Sequence, residues 1–408
     1  MWMLSPAAER ERKRSHTALA RVDVLHSGKP VYTLEVVDGA VSTEADRPVM
    51  RNLSCTVTDP TGALTGGDLE DLLNPYECEI APWRGVRVPS RREAGVSTTL
   101  TDGFGLQPFG VSGFGGSVTT TTSTLEWTEE LAPLGVFGLT SRKVSGDGSI
   151  SLTGQDRAMR YQGPMSDGLA IGGGTPVEVA VIRLLATRNP GVQLLTLRTG
   201  FTCGPLLYPP DIDVWREAQL LAASVGGRLF HDRRGQAVFS LTGPTSHTPV
   251  ATWADGDGLL LGVDRQEDSD TIRNVIVAES VDGRIRTVVE DSDPSSATYA
   301  RGRYGRRPTT ITNQHFASVQ QAQQAAASRL AYELGRSETV SFSAVPHPGL
   351  DVEDVITVHR PRAGLNYRGL VVASVSLPLA ADQPMTVGCR RSVLAPDGQV
   401  FEADRTAA

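Results

Sequence analysis

Four cysteines in 408 residues is little, and Cys55, Cys78, Cys203 and Cys389 stand far apart with no C-x-x-C pair among them. That spacing excludes an ordinary zinc site and a disulfide framework. It reads as small buried hydrophobes in a reduced compartment. The chain also lacks any run of about 18 apolar residues, so no helix is expected to span a membrane. Arg10, Arg12, Lys13 and Arg14 near the start are followed by no apolar stretch. A signal peptide is therefore not expected, and the chain is expected to be made and folded in a cytoplasm.

Catalytic motifs are equally scarce. The seven histidines, His16, His26, His231, His247, His315, His347 and His359, show neither H-x-x-x-H nor H-E-x-x-H spacing. No G-x-S-x-G nucleophile elbow occurs. Gly172-Gly173-Gly174-Thr175 precedes a helix start, where backbone N–H groups can bind anions, but no lysine follows, so it is a loop and not a P-loop. Asp255-Gly256-Asp257-Gly258 suggests either a tight acidic turn or a cation loop; the EF-hand spacing and its closing Glu are missing, which favours the turn. Adjacent carboxylates such as Glu129-Glu130 do not by spacing alone single out a glycosidase. The formal net charge of −7 argues against a nucleic-acid binder driven by overall charge. No enzyme, cofactor or metal is expected.

What the chain does have is glycine and proline, 42 and 25 residues, which implies many turns and β-rich structure. Residues 1–16 read as a flexible arm. Val22 and Val24, then Ser27-Gly28, then Val31 and Leu34 make a hairpin. Leu53, Cys55 and Val57 alternate with polar residues, and Asp59-Pro60-Thr61-Gly62 turns the chain. Asp68 is expected to cap a short helical turn ending near Leu73. Tyr76 to Val88 suggests a strand pair around Arg84-Gly85. Further strands follow at Leu125–Trp127 and Leu134–Arg142, with an Asp147-Gly148 turn into Ile150–Thr153.

Residues 156–250 then read as a small α/β domain. Thr175-Pro176-Val177-Glu178 has the form of a capping box, with Val177, Ala180, Val181, Leu184 and Leu185 on one face. A second helix starts near Asp213 and stops at Gly226-Gly227. A hairpin follows, Arg228–His231 and Gln236–Leu241. Residues 251–395 return to strands, with an Asp282-Gly283 turn and one long helix. Ser318-Val319-Gln320-Gln321 caps that helix, and Val319, Ala322, Ala326, Leu330 and Leu334 form its expected buried stripe. Residues 396–408 are a tail.

Three segments taken in order carry a resemblance. The first is NLSCTVTDPTGALTGGDLEDLLNPYECEI, from Asn52 to Ile80. The second is SISLTGQDRAMR, from Ser149 to Arg160. The third is DTIRNVIVAES from Asp270, followed by the Ala/Gln helix, SETVSFSAVPHPGLDVEDVITV and YRGLVVASVSLPL. This order, over roughly residues 17 to 395, resembles the baseplate-hub (tail-hub, minor tail) proteins of tailed bacteriophages and related injection machines. The resemblance implies an α+β, β-rich chain: two tail-tube-like β-barrel domains, 17–155 and 251–395, flanking the small α/β domain. It implies a homotrimer whose six barrels form a ring around the DNA channel. That ring would join a distal tail or tail-tube hexameric ring to a central tip or fibre protein, at the tail tip of the virion, with phage DNA in transient passage and no stable small-molecule ligand. The alternatives are a tail-tip cell-wall hydrolase and a monomeric carbohydrate-binding β protein.

Two stretches are candidate interfaces. Residues 96–124 form a Gly/Phe/Thr-rich insertion with one charged residue, Asp102, between Val96 and Thr124. Phe104, Phe109 and Phe114 supply large apolar anchors on a mobile glycine background. An insertion of this length without periodicity is often functional, and exposed it would be a liability. The favoured reading is a loop that orders at an inter-subunit contact; a membrane- or channel-facing flap and plain disorder are the others. The second stretch is Arg301, Arg303, Tyr304, Arg306 and Arg307, either a solvated loop or a contact with an acidic neighbour or with passing DNA. A DNA conduit should not hold its cargo, which makes protein contact the better functional reading.

Overall fold

The computed structural model describes residues 2–14, 17–59, 62, 64, 70–96, 120–196, 198–241 and 248–391. The chain is β-rich with four α-helices among these residues. Strands of the two β-rich halves run into one fourteen-stranded sheet. The N-terminal half contributes β1 (Ala18–His26), β2 (Lys29–Leu34), β3 (Val36–Glu44), β4 (Arg51–Thr58), β5 (Glu79–Val96), β6 (Thr120–Pro133), β7 (Phe137–Val144) and β8 (Ser149–Asp156). Turn chemistry sets the first hairpin: Ser27 and Gly28 both have positive φ, 51° and 78°, as a type I′ turn requires. In β4, Leu53, Cys55 and Val57 are buried and alternate with more exposed neighbours, the period-two pattern of a half-buried strand.

The middle of the chain holds β9 (Leu169–Ile171), α2 (Val177–Ala186), β10 (Leu194–Thr196), β11 (Leu206–Tyr208), α3 (Val214–Ala223), β12 (Gly227–His231) and β13 (Ala237–Leu241). The whole α2 stripe, Val177 to Leu185, is buried as expected. Its capping box is not made: Pro176 is the N-cap without a side-chain bond. Instead the Thr175 hydroxyl donates to the Gly172 carbonyl at 2.7 Å, and Glu178 accepts from Thr199 at 3.0 Å. Asp213 does cap α3, accepting from the Arg216 N–H at 2.8 Å.

The C-terminal half adds β14 (Ala251–Ala254), β15 (Leu260–Glu267), β16 (Val275–Glu279), β17 (Arg286–Glu290), β18 (Pro308–Thr312), α3's longer successor α4 (Val319–Gly335), β19 (Glu338–Ala344), β20 (Val355–Arg360), β21 (Leu365–Pro378) and β22 (Met385–Arg391). In α4, Ser318 accepts from the Gln321 N–H at 3.1 Å, and the Gln321 side chain reaches back to the Ala317 N–H at 2.9 Å. Ala322, Ala326 and Leu330 are buried as expected, but Val319 is 53% exposed and lies outside the core that the helix forms with the sheet.

The main sheet runs β15-β19-β22-β21-β3-β4-β8-β7-β5-β1-β2, with β14 and β20 branching from β21 and β6 from β5. Antiparallel pairing of β21 with β3, from Ser374↔Glu44 to Pro378↔Ala40, stitches the halves together. The expected barrels are thus open at this seam, and no barrel closes among the described residues. The largest hydrophobic core draws on both halves, with Val22, Leu53 and Ile150 beside Trp253, Phe342 and Val387. A second core lies between α2, α3 and β12–β13. A third lies between α4 and the β17-β16-β18 sheet.

Two expectations are corrected. No turn occurs at Arg84-Gly85, because β5 runs unbroken from Glu79 to Val96. Gly85 is there for a close approach: a Cβ would lie 1.8 Å from the Glu130 carbonyl oxygen of β6. Residues 2–14, expected to be a mobile arm, contain α1 (Pro6–Arg12), capped by Ser5, which accepts from the Ala8 N–H, with proline at the first helical position. Ala8 is buried against Val86 and Val88, and that burial holds the helix down.

Candidate interaction surfaces

An arginine–carboxylate network joins the parts of the chain. Arg51 on β4, 1% exposed, makes a two-pronged contact with Asp351 in the loop before β20, at 2.9 and 2.7 Å. Its other amine donates to the His231 carbonyl at the end of β12. Arg233, in the next turn, contacts Asp351 at 3.0 Å and donates to the Pro348 and Leu350 carbonyls. One carboxylate thus holds residues from all three stretches of the sequence. Burial alone would raise the Asp351 carboxyl, but Arg51 and Arg233 hold it far below the usual carboxylate range. Two residues on, Glu353 sits in the left-handed region at φ 65° and binds Arg228 at 3.3 Å and Arg390 at 2.9 Å. Each carboxylate is engaged by two guanidiniums, which suits a rigid joint rather than proton transfer.

Beside this joint His231 packs in a ring cluster, its centroid 5.7 Å from Tyr161 and 5.4 Å from Trp215. Burial, with the positive charges of Arg157, Arg51 and Arg160, pushes its imidazole down to about 3. It is therefore a neutral core residue.

The basic cluster forms one exposed loop between β17 and β18. The Asn274 side-chain amide fixes the loop, donating to the Thr298 and Gly305 carbonyls at 2.7 and 2.8 Å. Buried Asp291 accepts from the Ser296 and Thr298 hydroxyls at 2.6 and 2.7 Å. Arg301 and Arg306 share Glu290, at 3.4 and 3.1 Å. Arg307 stacks over Tyr304, 4.6 Å from the ring centroid, and the Tyr304 hydroxyl donates to the Ser269 carbonyl at 2.6 Å. Arg303 is exposed and makes no ion pair among the described residues. The structure therefore brings all five residues together, with two guanidiniums, those of Arg301 and Arg306, sharing one carboxylate.

Phe104, Phe109 and Phe114 lie outside the described residues. The strands leading to them are described: β5 and β6 pair from Trp83↔Pro133 to Val96↔Thr120. The insertion is therefore carried at the end of a long two-stranded arm. Trp127, paired opposite Pro89 on that arm, is 57% exposed.

Other candidates are occupied structurally. Asp257 accepts the Ala254, Leu259 and Leu260 N–H groups, and Asp255 pairs with Arg360, so this is an acidic turn. All four cysteines are free and buried, and burial pushes the Cys55 and Cys78 thiols up to about 12. Glu129 pairs with Arg87 at 3.4 Å and Glu130 with Ser5 at 2.5 Å, so these neighbours do not converge on a pocket. No group of three metal-ligating side chains occurs among the described residues. The joint at Asp351 was not foreseen; its partners lie 300 and 118 residues away.

The sequence matches no protein-family model and no curated protein. The architecture does have counterparts among solved structures. The tail protein from Neisseria meningitidis MC58 superposes with a TM-score of 0.57 at 16% identity, covering 93% of this chain and 98% of that one. The chain has the fold of a tail protein. The 43 kDa tail protein of prophage MuSo2 from Shewanella oneidensis agrees, with a TM-score of 0.57 at 12% identity over 92% of this chain and 99% of that one. The resemblance read from the sequence is borne out at the level of fold.

Proposed function

We propose that the chain is a structural, non-enzymatic tail-hub (minor tail) protein of a bacteriophage. The likeness to prophage and bacterial tail proteins carries this reading, because it spans nearly the whole of each chain and not a shared module. Three copies close into a ring at the tail tip, each giving two tube-like modules, 17–155 and 251–395. The ring adapts the sixfold tail tube to a threefold tip and surrounds the DNA channel. Its neighbours are a hexameric tube or distal-tail ring and a central tip or fibre protein.

The open sheet supports lateral assembly. Its two ends, β2 and β15, each pair on one side only among the described residues. They expose Val31 and Tyr32 at one end and Leu261 at the other. Two different unpaired edges on one molecule favour a head-to-tail contact, which closes into a ring when the rotation fits. Phe104, Phe109 and Phe114 dock on a neighbouring subunit. Arg301, Arg303 and Arg306, with Tyr304 and Arg307 behind them, meet an acidic neighbour. Reversing Arg301, Arg303 and Arg306 to Glu is expected to leave the fold intact and to stop tail assembly in a complementation assay. Normal tails from that variant would remove the loop from the interface.

A further inference from the structure

We infer that Trp2–Arg12 is a strap that sets the direction of the β5–β6 arm by tying its root to the far β-rich half. This goes beyond the tail-hub reading and does not depend on ring closure. The arm needs such a tie. The β1 ladder on β5 ends at Ala18↔Val86, and β7 meets β5 only at Glu79 and Ile80. Among the described residues, β5 pairs from Arg87 outward along its length only with β6. A two-stranded ribbon is marginal alone, and nothing in its own hydrogen bonds fixes where it points.

The strap supplies both ends of the tie. On the arm side, Ala8 is fully buried on Val86 and Val88, and the Ser5 N–H and hydroxyl both donate to the Glu130 carboxylate at 2.5 Å. On the far side, the Trp2 N–H donates to the Gly349 carbonyl at 2.9 Å. Glu9 meets the buried His347 ring nitrogen Nε2 at 3.1 Å. The Gly349 N–H donates to His347 Nδ1 at 3.2 Å, so Nε2 carries the proton that reaches Glu9. The Trp2 ring also lies under Arg234, 5.0 Å from its guanidinium carbon, which brings in the turn after β12.

Gly349 is an independent sign that the surface is shaped for the strap. Its φ is not positive, so no turn demands glycine there. A Cβ would instead lie 2.3 Å from the Trp2 carbonyl oxygen. The three large cores contain no strap residue, so the strap is separable from the fold.

The test is amide exchange by mass spectrometry on the full chain and on three variants: a deletion of residues 2–12, Gly349→Ala, and Ser5→Ala with Glu9→Gln. The expected result is exchange at Val86–Val88 and Thr128–Glu130 rising about tenfold in all three while core strands such as β4 and β19 stay protected. Trypsin is expected to cut after the buried Arg12 about tenfold faster in the two substituted chains, in proportion to opening of the strap. Unchanged arm exchange in the deletion would overturn the inference, and so would loss of core protection in it.

Discussion

Asp351 shows how one side chain holds distant parts of this chain in place. Its carboxylate binds Arg51 from the first β-rich half and Arg233 from the α/β middle. Removing its charge leaves two guanidiniums desolvated without a counter-ion, the costly way to break a buried pair. Asp351→Asn is expected to lower unfolding stability by about 3 kcal/mol in denaturant titrations, whereas a loss under about 0.5 kcal/mol would show the joint to be ornamental. His231 gives a pH prediction. Its folded value of about 3 lies below the unfolded 6.5, so the unfolded chain binds the extra proton between these limits. Stability is complete above 6.5 and falls as pH drops towards 3, by about 2 kcal/mol at about pH 5 from this residue alone. His231→Phe keeps a ring in the Tyr161–Trp215 cluster and should flatten that part of the stability–pH curve.

At the scale of elements, the β5–β6 ladder depends on a missing side chain. Gly85→Ala would force a Cβ into the Glu130 carbonyl, and is expected to cost about 3 kcal/mol and to raise amide exchange across β6. Its effect would match a plain surface glycine's if β5 turned at that point. This position also shows what was legible in the sequence and what was not. Ser27-Gly28, Asp147-Gly148 and Asp282-Gly283 were readable as turns because a positive φ leaves glycine as its trace. Gly85 carries the same letter for a different reason, close approach of a neighbouring strand, and local pattern cannot separate the two. The buried face of α2 was readable from its spacing. The cap of α1 is present as Ser5-Pro6, yet residues 1–16 read as a flexible arm; what holds the helix is burial of Ala8 on a strand 78 residues away, which no local pattern shows. The Arg51–Asp351 joint had no local signature, since its members are ordinary residues 300 positions apart.

For the whole molecule, the seam between β3 and β21 makes the two halves one sheet, whose end strands β2 and β15 each pair on one side only among the described residues. The arm leaves this body at Val86 and leads towards Phe104, Phe109 and Phe114. Among the described residues, none of the three large cores includes a residue from the stretch 99–122. The unfolding midpoint is therefore expected to stay within about 2 °C, while assembly into infectious particles stops; normal particles would exclude this stretch from the assembly contacts. The central claim, a threefold hub, is tested most directly by electron microscopy of the purified chain with its native mass measured alongside. A threefold hub should give particles of three times 43.5 kDa, seen as threefold rings with a central hole wide enough for a DNA duplex. A 43.5 kDa monomer that forms no threefold particle, alone or with a tail-tube ring, would contradict it.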